Sequence, residues 1–290
     1  MMFRKFENKS EEQLATDIIA KIDQGEKWIF KGADGCTDFE GFIDRLFYCN
    51  GDTYATYCAS IYCGNLRLQI GFNTDMPTEV CEELLLLIKK ARNKVNTFTS
   101  VWYPPDNKKL DEFIFTQLPW KSCGHKTHEL TFKRDGVYGN LYFPKNVCVI
   151  PFVDKYIDDT CSMLDKSLSH TFGNPNTSIF LSFKEKYLTD WGEKAKNNDC
   201  CIMLENNELV GVYILKGAEI DFIAIAKEKQ NKGLGRLLLH HAREHIFTTR
   251  EDEPFLYCID RNSNALRFYV REGMKITGYS GYAYFEEHIN

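Results

Sequence analysis

An apolar strand that leads into a glycine-containing turn and then into an amphipathic helix is the feature that most restricts the fold of this chain. It occupies residues 219–236, EIDFIAIAKEKQNKGLGR. The first turn of a helix has backbone N–H groups without internal partners, and these attract an anion together with the helix dipole. Gly233 and Gly235 let the backbone come close to a bulky phosphate, and Lys232 and Arg236 add positive charge. The segment therefore predicts a strand–turn–helix unit that can cradle a pyrophosphate.

Other glycine motifs match this turn poorly. It lacks the G-x-x-x-x-G-K-[ST] pattern of a P-loop. It also differs from the dinucleotide-binding pattern G-x-G-x-x-G, because Leu238 stands at the position of the last glycine. A simpler interpretation stays open, in which the two glycines only end a turn and permit tight helix–strand packing.

Predicted strands and helices alternate along the whole chain, which indicates a mixed α/β fold class. The length of 290 residues suggests two domains, at about 150 residues each. Residues 135–146, DGVYGNLYFPKN, are rich in Gly, Pro and Asn and form the best candidate for a boundary. We therefore predict domains at 1–138 and 139–290.

The two halves share an order of elements: a hairpin, a strand, a long helix, a strand, a short helix and a final strand. The string NKKLDEF at 107–113 is echoed by NSNALRF at 262–268. This favours a diverged internal duplication. Coincidence stays open as the alternative, because such strings are short and alternation of strands and helices is common.

Composition argues against several classes of protein. The net charge of −5 and the pI near 5.9 argue against a nucleic-acid partner held by a broad basic face. No apolar run approaches the ~18 residues of a membrane span, and the first residues, MMFRKFENKSEEQL, lack the apolar core of a signal peptide. We therefore expect a cytoplasmic protein without a membrane partner. The 11 cysteines contain no Cys-x-x-Cys, and His241 and His245 lack the H-E-x-x-H context, so we expect no disulfide framework and no metal.

The glycine turn resembles the acetyl-CoA motif of the GNAT superfamily of N-acetyltransferases, in which a strand is followed by Q/R-x-x-G-x-G/A and a helix. The string QNKGLG at 230–235 fits every specified position. A second family motif follows at the expected distance, NSNALRFYVREGM at 262–274. The resemblance covers about residues 147–290. It departs from the family at Lys227, where Pro is common, and at Asn231, where Gly is common.

The resemblance implies a fold and a co-substrate. A domain of this family is a mostly antiparallel mixed sheet flanked by helices, and it uses acetyl-CoA. The backbone of Ile223, Ala224 and Ile225 would pair with the pantetheine arm. The pyrophosphate would lie on the turn, whose residues are Gln230, Asn231, Lys232, Gly233, Leu234, Gly235 and Arg236. Asn262 would contact CoA near the next helix, or it only caps that helix.

Two residues are implied as catalytic. Glu219 matches the base of the histone-acetylating members, and attack on the thioester needs a base or a water chain because the amine must be neutral. Asp221 shares the strand face of Glu219 if side chains alternate with period two. Tyr269 stands where family members have a Tyr that protonates the departing thiolate, and we also expect it to contact CoA. A salt bridge at the strand end for Glu219 and a core aromatic for Tyr269 stay open as alternatives.

The first half of the chain lacks a glycine turn of the kind at 230–236 that could bind a pyrophosphate. Its matching helix follows NTDMPTE at 73–79, which has no glycine, and Asp75 and Glu79 would repel a pyrophosphate. Pro77 also removes a backbone donor. The chain therefore looks like the tandem members of the family, in which one half is active and the other is degenerate.

These features together predict an N-acetyltransferase that moves an acetyl group from acetyl-CoA to a primary amine by direct attack. The acceptor stays open between an amine-bearing small molecule and a peptide, and the net charge of −5 favours a cationic one. The alternative is a non-catalytic protein that binds or senses acetyl-CoA and acts through a partner. A third possibility is a scaffold that binds no CoA.

Overall fold

The computed structural model of the chain describes residues 2–22, 41–62, 65–94, 98–139, 142–168 and 178–285. The chain divides into two compact units: unit 1 comprises Met1–Glu129 and Ile276–Asn290, and unit 2 comprises Leu130–Lys275. This division differs from the predicted domains 1–138 and 139–290, because it falls earlier in the chain and assigns the last strand to unit 1. The sequence also predicts a strand at 27–31, and these residues lie outside the described ones.

Unit 1 is a mostly antiparallel sheet with helices packed on it. Its helices in the described residues are α1 (Lys9–Ile22), α2 (Cys81–Lys94) and α3 (Lys108–Glu112). Its first strands are β1 (Phe42–Asn50), β2 (Thr53–Tyr62), β3 (Asn65–Phe72), β4 (Thr99–Tyr103) and β5 (Ser122–Thr131). The hairpin predicted at Asn50-Gly51 joins β1 to β2, where Gly51 has φ 59°. Strands β1, β2 and β3 are antiparallel neighbours, and β3 pairs with β4 in parallel.

Unit 2 repeats this layout. Its helices in the described residues are α4 (Ile157–Leu168), α5 (Ile179–Ser182), α6 (Lys184–Ala195), α7 (Leu234–Thr249) and α8 (Ser263–Arg271). Its strands are β6 (Val147–Pro151), β7 (Cys200–Glu205), β8 (Glu208–Lys216), β9 (Glu219–Ile225) and β10 (Phe255–Ile259). They lie in the order β10-β9-β8-β7-β6, antiparallel except for β9 and β10.

The last strand, β11 (Lys275–Phe285), lies between β4 and β5 in the sheet of unit 1. It pairs with β4 in antiparallel register, with Gly281 opposite Tyr103. Aromatic pairs stabilise the position: the rings of Trp102 and Tyr282 lie 4.7 Å apart, and those of Trp120 and Phe285 lie 5.6 Å apart. Periodicity predicts such a strand but does not show which sheet it joins.

One strand begins earlier than predicted. The sequence predicts a strand at 127–134, whereas β5 runs from Ser122 to Thr131. The polar residues before Thr127 have the composition of a loop, but Gly124 lets them enter the sheet. A Cβ at Gly124 would lie 2.2 Å from the carbonyl oxygen of Tyr282 on β11. A close approach of two strands therefore decides where β5 begins.

The sheet of unit 2 is covered on both faces. On one face, Leu238 and Ala242 of α7 pack with Ile225 of β9. On the other face, Leu164 of α4 and Trp191 of α6 pack with neighbouring side chains of the sheet. The predicted fold class, a mixed α/β fold of mostly antiparallel sheets flanked by helices, is confirmed. Within the described residues no helix combines the length and the apolarity that a membrane crossing requires.

Candidate active site

The centre of the candidate site is a cavity between β9 and β10. Within the described residues these parallel strands share one register pair, Glu219 opposite Phe255. Beyond that pair lies a cavity of about 130 Å³ between residues 220–223 and residues 256–259. The other residues that line it are Leu168, Asn262 and Tyr269. The strands therefore separate towards their carboxyl ends, and one edge of β9 borders the cavity.

The hydrogen-bond pattern shows which backbone groups of β9 face this cavity. The N–H of Ala226 donates to the carbonyl oxygen of Val210 on β8, at 2.9 Å. Both backbone groups of a residue in an antiparallel ladder point to the same neighbour, and successive residues alternate. Ala224 therefore turns its backbone groups towards β8. Ile223 and Ile225 turn theirs towards the cavity, so they fit the predicted pairing with a pantetheine arm and Ala224 does not.

The carbonyl oxygen of Ile225 already has two donors. The side-chain amide Nε2 of Gln230 donates to it at 3.1 Å, and the hydroxyl of Ser167 donates at 3.2 Å. Gln230 therefore connects the glycine turn to the end of β9. This contact leaves the N–H of Ile225 and both backbone groups of Ile223 on the cavity side.

The glycine turn has the backbone that the sequence predicts. Gly233 is the N-cap of α7 with φ 82°, and no side chain caps the helix. Among the described residues, no atom would lie within 4 Å of a Cβ at Gly233, so these residues leave space in front of this helix end. Asn231 has φ 61°, a left-handed conformation that suits Asn and Gly, and this explains the departure from the family pattern at that position. Lys227 begins a 3-10 turn, where the Pro common in the family would also fit.

Positive charge surrounds this helix end. Lys232 and Arg236 are both exposed, and Leu234 is buried beneath them. The Nε of Arg236 lies 3.4 Å from a carboxylate oxygen of Glu272, which follows α8. An exposed helix start with two cations and an open space in front of it fits an anion such as a pyrophosphate.

Helix α8 brings two of the predicted residues to the cavity. The Oδ1 of Asn262 accepts from the N–H of Ala265 at 3.3 Å, so Asn262 caps α8 and also lines the cavity. Tyr269 lies two turns later and lines the same cavity. Burial raises the pKa of Tyr269, so its phenol is protonated at neutral pH. Burial, together with the charge of Asp260, raises the pKa of the neighbouring Cys258 thiol to about 11.

Glu219 and Asp221 differ in their relation to the cavity. Glu219 lies at the closed end, where β9 and β10 pair, and it is not among the residues that line the cavity. Asp221 is among them. Although Asp221 is solvent-accessible, the protein around it displaces part of its hydration, and this desolvation raises the pKa of its carboxyl. Lys194 and Lys216 oppose the rise of this pKa, and Asp190 adds to it.

A β-bulge lies at Asp221. Ile214 of β8 pairs with Phe222, but the next residue, Leu215, pairs with Ile220. Asp221 is therefore an extra residue in β9, and such a bulge re-aims a side chain. The expectation that Asp221 shares the face of Glu219 assumed a regular strand with period two, and it stays a prediction. The sequence signal that could have marked the bulge is an acidic residue within an apolar strand.

The corresponding strands of unit 1 are closed. Strands β3 and β4 pair through four successive positions, from Leu66 opposite Thr99 to Gln69 opposite Trp102. The loop before α2 is tied down by Asn107, whose Oδ1 accepts from the N–H of Met76 at 3.2 Å. Over these four positions β3 and β4 therefore leave no gap of the kind that separates β9 from β10.

The histidines of α7 have partners of their own. His241 is 3.1 Å from the hydroxyl of Tyr213, and His245 is 3.1 Å from a carboxylate oxygen of Asp199. Within the described part of the chain, no group of three or more His, Cys, Asp or Glu residues has an arrangement that could hold a metal ion.

Comparison with known proteins shows what the chain is similar to. Residues 166–274 match the model of the acetyltransferase (GNAT) family. Among curated proteins no match was found. A solved GCN5-related N-acetyltransferase from Sphaerobacter thermophilus is 12% identical, with a TM-score of 0.61 over 98% of this chain and 95% of that chain. A Drosophila protein is 10% identical, with a TM-score of 0.50 over 98% of each chain. A GNAT acetyltransferase from Colwellia psychrerythraea is 10% identical, with a TM-score of 0.49 over 99% of this chain and 100% of that chain. At these identities the likeness to the solved structures shows the fold.

Proposed function

Because residues 166–274 match the model of the acetyltransferase (GNAT) family, we propose that unit 2 transfers an acetyl group from acetyl-CoA to a primary amine by direct attack. The observation that carries this proposal is the cavity between β9 and β10, which has an open strand edge on one side and Tyr269 in its lining. The same strand leads to the glycine turn at the start of α7. A pantetheine arm and a pyrophosphate would thus meet binding groups that are consecutive in the chain.

Different residues of unit 2 would bind different parts of acetyl-CoA. The N–H groups at the start of α7, with Lys232 and Arg236, would bind the pyrophosphate. Ile223 and the N–H of Ile225 would hydrogen-bond the pantetheine amides as a neighbouring strand would. Asn262 lines the cavity while it caps α8, so it can bind CoA without losing its structural role.

The chemistry requires one proton acceptor and one proton donor. A carboxylate on β9, Glu219 or Asp221, would take a proton from the ammonium and leave a neutral amine. The amine nitrogen forms a bond to the acetyl carbon, and the carbon–sulfur bond breaks. Tyr269, whose raised pKa keeps the phenol protonated, would donate a proton to the thiolate. General acid–base steps of this kind contribute about 10²–10⁴-fold in rate.

We further propose that the chain is a tandem protein with one acetyl-CoA site, in domains that correspond to the predicted 1–138 and 139–290. The paired strands β3 and β4 of unit 1 support this, because they leave no open edge between Leu66 and Gln69. The protein would act as a soluble cytoplasmic enzyme.

The experiment uses the full chain. Binding of acetyl-CoA is measured by isothermal titration calorimetry, and thiol release is followed with a chromogenic thiol reagent across a panel of primary amines. Thiol release that depends on an amine, with one CoA bound per chain, is the expected result. Tight binding without release on any amine would instead favour a protein that senses acetyl-CoA. An absence of binding would overturn the site itself.

A further inference from the structure

The lining of the cavity in unit 2 contains one carboxylate. Asp221 is the acidic residue among the described lining residues, and no Lys, Arg or His accompanies it there. The polar groups beside it are the Tyr257 and Tyr269 phenols, the Cys258 thiol and the Asn262 amide. Tyr and Cys side chains with ordinary pKa values are neutral at pH 7, and the pKa values of Cys258 and Tyr269 are raised above the ordinary ones. The cavity therefore presents a single negative charge.

The charges around Asp221 balance one another. Its electrostatic neighbours are Asp190 and Lys194 of α6 and Lys216 of β8. The ammonium of Lys194 lies 3.5 Å from a carboxylate oxygen of Asp190, so these two largely offset each other. Lys216 pairs in register with Glu219 at the start of β9. If the acceptor molecule had a second ammonium group, that group would therefore lie near the ammonium groups of Lys194 and Lys216. It would not meet a free carboxylate.

Helix α7, which starts at the glycine turn, and helix α6 pack on opposite faces of the sheet. The glycine turn leads into α7, which packs on the face of Ile225. Asp190 and Lys194 lie on α6, which packs on the opposite face through Trp191. The electrostatic neighbours of Asp221 include Asp190 and Lys194, so its carboxylate lies towards α6. An amine bound there would meet the thioester between the separated strands.

The wall next to Asp221 is apolar and aromatic. Phe222 lines the cavity and is half-buried. The ring of the buried Phe180 meets it edge-on at 5.2 Å, and Phe180 also lies 5.3 Å from Tyr187. Tyr187 stacks on the buried Trp191 at 5.0 Å. These contacts hold the partly exposed rings of Phe222 and Tyr187 near the carboxylate of Asp221. Such a surface suits a ligand that has an ammonium group on an apolar body.

We infer that the acceptor is a primary monoamine with an apolar or aromatic body, whose ammonium binds Asp221 and loses its proton to that carboxylate. This inference rests on the proposed acetyl transfer. The lone pair that the proton leaves on nitrogen forms the bond to the acetyl carbon. The electron pair of the carbon–sulfur bond stays on sulfur, which takes its proton from Tyr269. The second proton that nitrogen loses replaces the phenol proton, and the proton on Asp221 passes to water.

The test compares amines of different charge at equal concentration. Phenethylamine and hexylamine carry one amine on an apolar body, whereas spermidine and kanamycin carry several. We expect kcat/KM for the two monoamines to exceed that for the two polyamines at least 10-fold. A preference for spermidine or kanamycin would overturn the inference and leave acetyl transfer standing. No release with any amine, while CoA binds, would overturn both.

Variants of Asp221 test the residue itself. Asp221→Asn should lower kcat/KM for phenethylamine at least 100-fold, with CoA affinity unchanged by titration calorimetry. It should also abolish the binding of phenethylamine to the CoA-bound protein, a readout that needs no turnover. Asp221→Glu should restore part of the activity, and Asp159→Asn on the exposed start of α4 is the matched charge control. Wild-type amine binding in Asp221→Asn would contradict the assignment.

Discussion

The guanidinium Nε of Arg236 lies 3.4 Å from a carboxylate oxygen of Glu272. Arg236 belongs to the first turn of α7, and Glu272 directly follows α8, the helix that carries Tyr269. The Arg236 side chain is 60% exposed, whereas that of Glu272 is 8% exposed. The exposed Arg236 side chain can therefore turn towards a ligand, while the buried carboxylate of Glu272 stays in place. Glu272 and a bound pyrophosphate would compete for the same guanidinium.

We expect Glu272→Gln to strengthen CoA binding about 2- to 5-fold at low ionic strength, the range of one charge near a helix end. Arg236→Gln should weaken binding by a similar factor. Titration calorimetry at two salt concentrations measures both, and salt should shrink both effects. Glu251→Gln, at an exposed position after α7, serves as the control. If Glu272→Gln weakens binding as Arg236→Gln does, Glu272 aligns the cation instead of competing for it.

Substitutions at two glycines test whether the turn at 230–236 binds the pyrophosphate. Gly233 and Gly217 both have left-handed φ values, 82° and 64°, and a Cβ at either would have no atom within 4 Å. Gly233→Asp adds a carboxylate where the pyrophosphate should bind, so we expect at least a 100-fold loss of CoA affinity. Gly217→Asp adds the same charge and similar backbone strain before the other end of β9. Its CoA affinity should stay near the wild-type value, with both folds checked by circular dichroism.

Some features of this site follow from local sequence rules. The string QNKGLG predicts the turn because left-handed positions need Gly or Asn, and Gly233 and Asn231 occupy two of them. Asn262 predicts a helix start because its side chain can accept from the N–H three residues later. Each rule concerns residues that are close in the chain, so one sequence is enough to apply it.

Other features depend on pairing between distant strands. The position of β11 beside β4 depends on rings such as Trp102 and Tyr282, which are far apart in sequence. The bulge at Asp221 depends on how β8 pairs with β9, and the opening of the cavity depends on β10 leaving β9 after Phe255. Periodicity within one strand contains none of this information. Glu219 and Asp221 could therefore be separated only in three dimensions.

The number of CoA molecules bound per chain should follow from the different strand pairing in the two units. Strands β3 and β4 hold four register pairs, while β9 and β10 hold one in the described residues. A pantetheine arm in unit 1 would have to break backbone hydrogen bonds, so we expect one CoA per chain. Titration calorimetry gives the number directly. A value near two would show that β3 and β4 open in solution.

Removal of one hydroxyl tests the proton donor. Tyr269→Phe keeps the ring in the lining of the cavity and removes only the phenol. We expect kcat to fall about 10²–10⁴-fold while CoA affinity stays nearly unchanged. Tyr156→Phe, in the 3-10 turn just before α4, is the matched control, because its ring does not line the cavity. Equal loss of kcat and of CoA affinity would indicate that Tyr269 binds CoA and does not donate a proton.

The raised pKa of Asp221 predicts how stability depends on pH. Desolvation raises the pKa of this carboxyl above the ordinary value of about 3.9, so the folded protein binds its proton more tightly than the unfolded chain does. The native state is then disfavoured as pH rises from the ordinary value through the raised one, and the cost is fully present above it. Asp221→Asn removes this cost, so the variant should melt at a higher temperature than wild type at pH 7. The difference should shrink as the pH falls towards 4, because the folded wild type takes up the proton before the unfolded chain does. Thermal denaturation from pH 4 to pH 8, with Asp159→Asn as the control, measures it. A gain of stability that does not change with pH would show that the carboxylate is not desolvated in the folded protein.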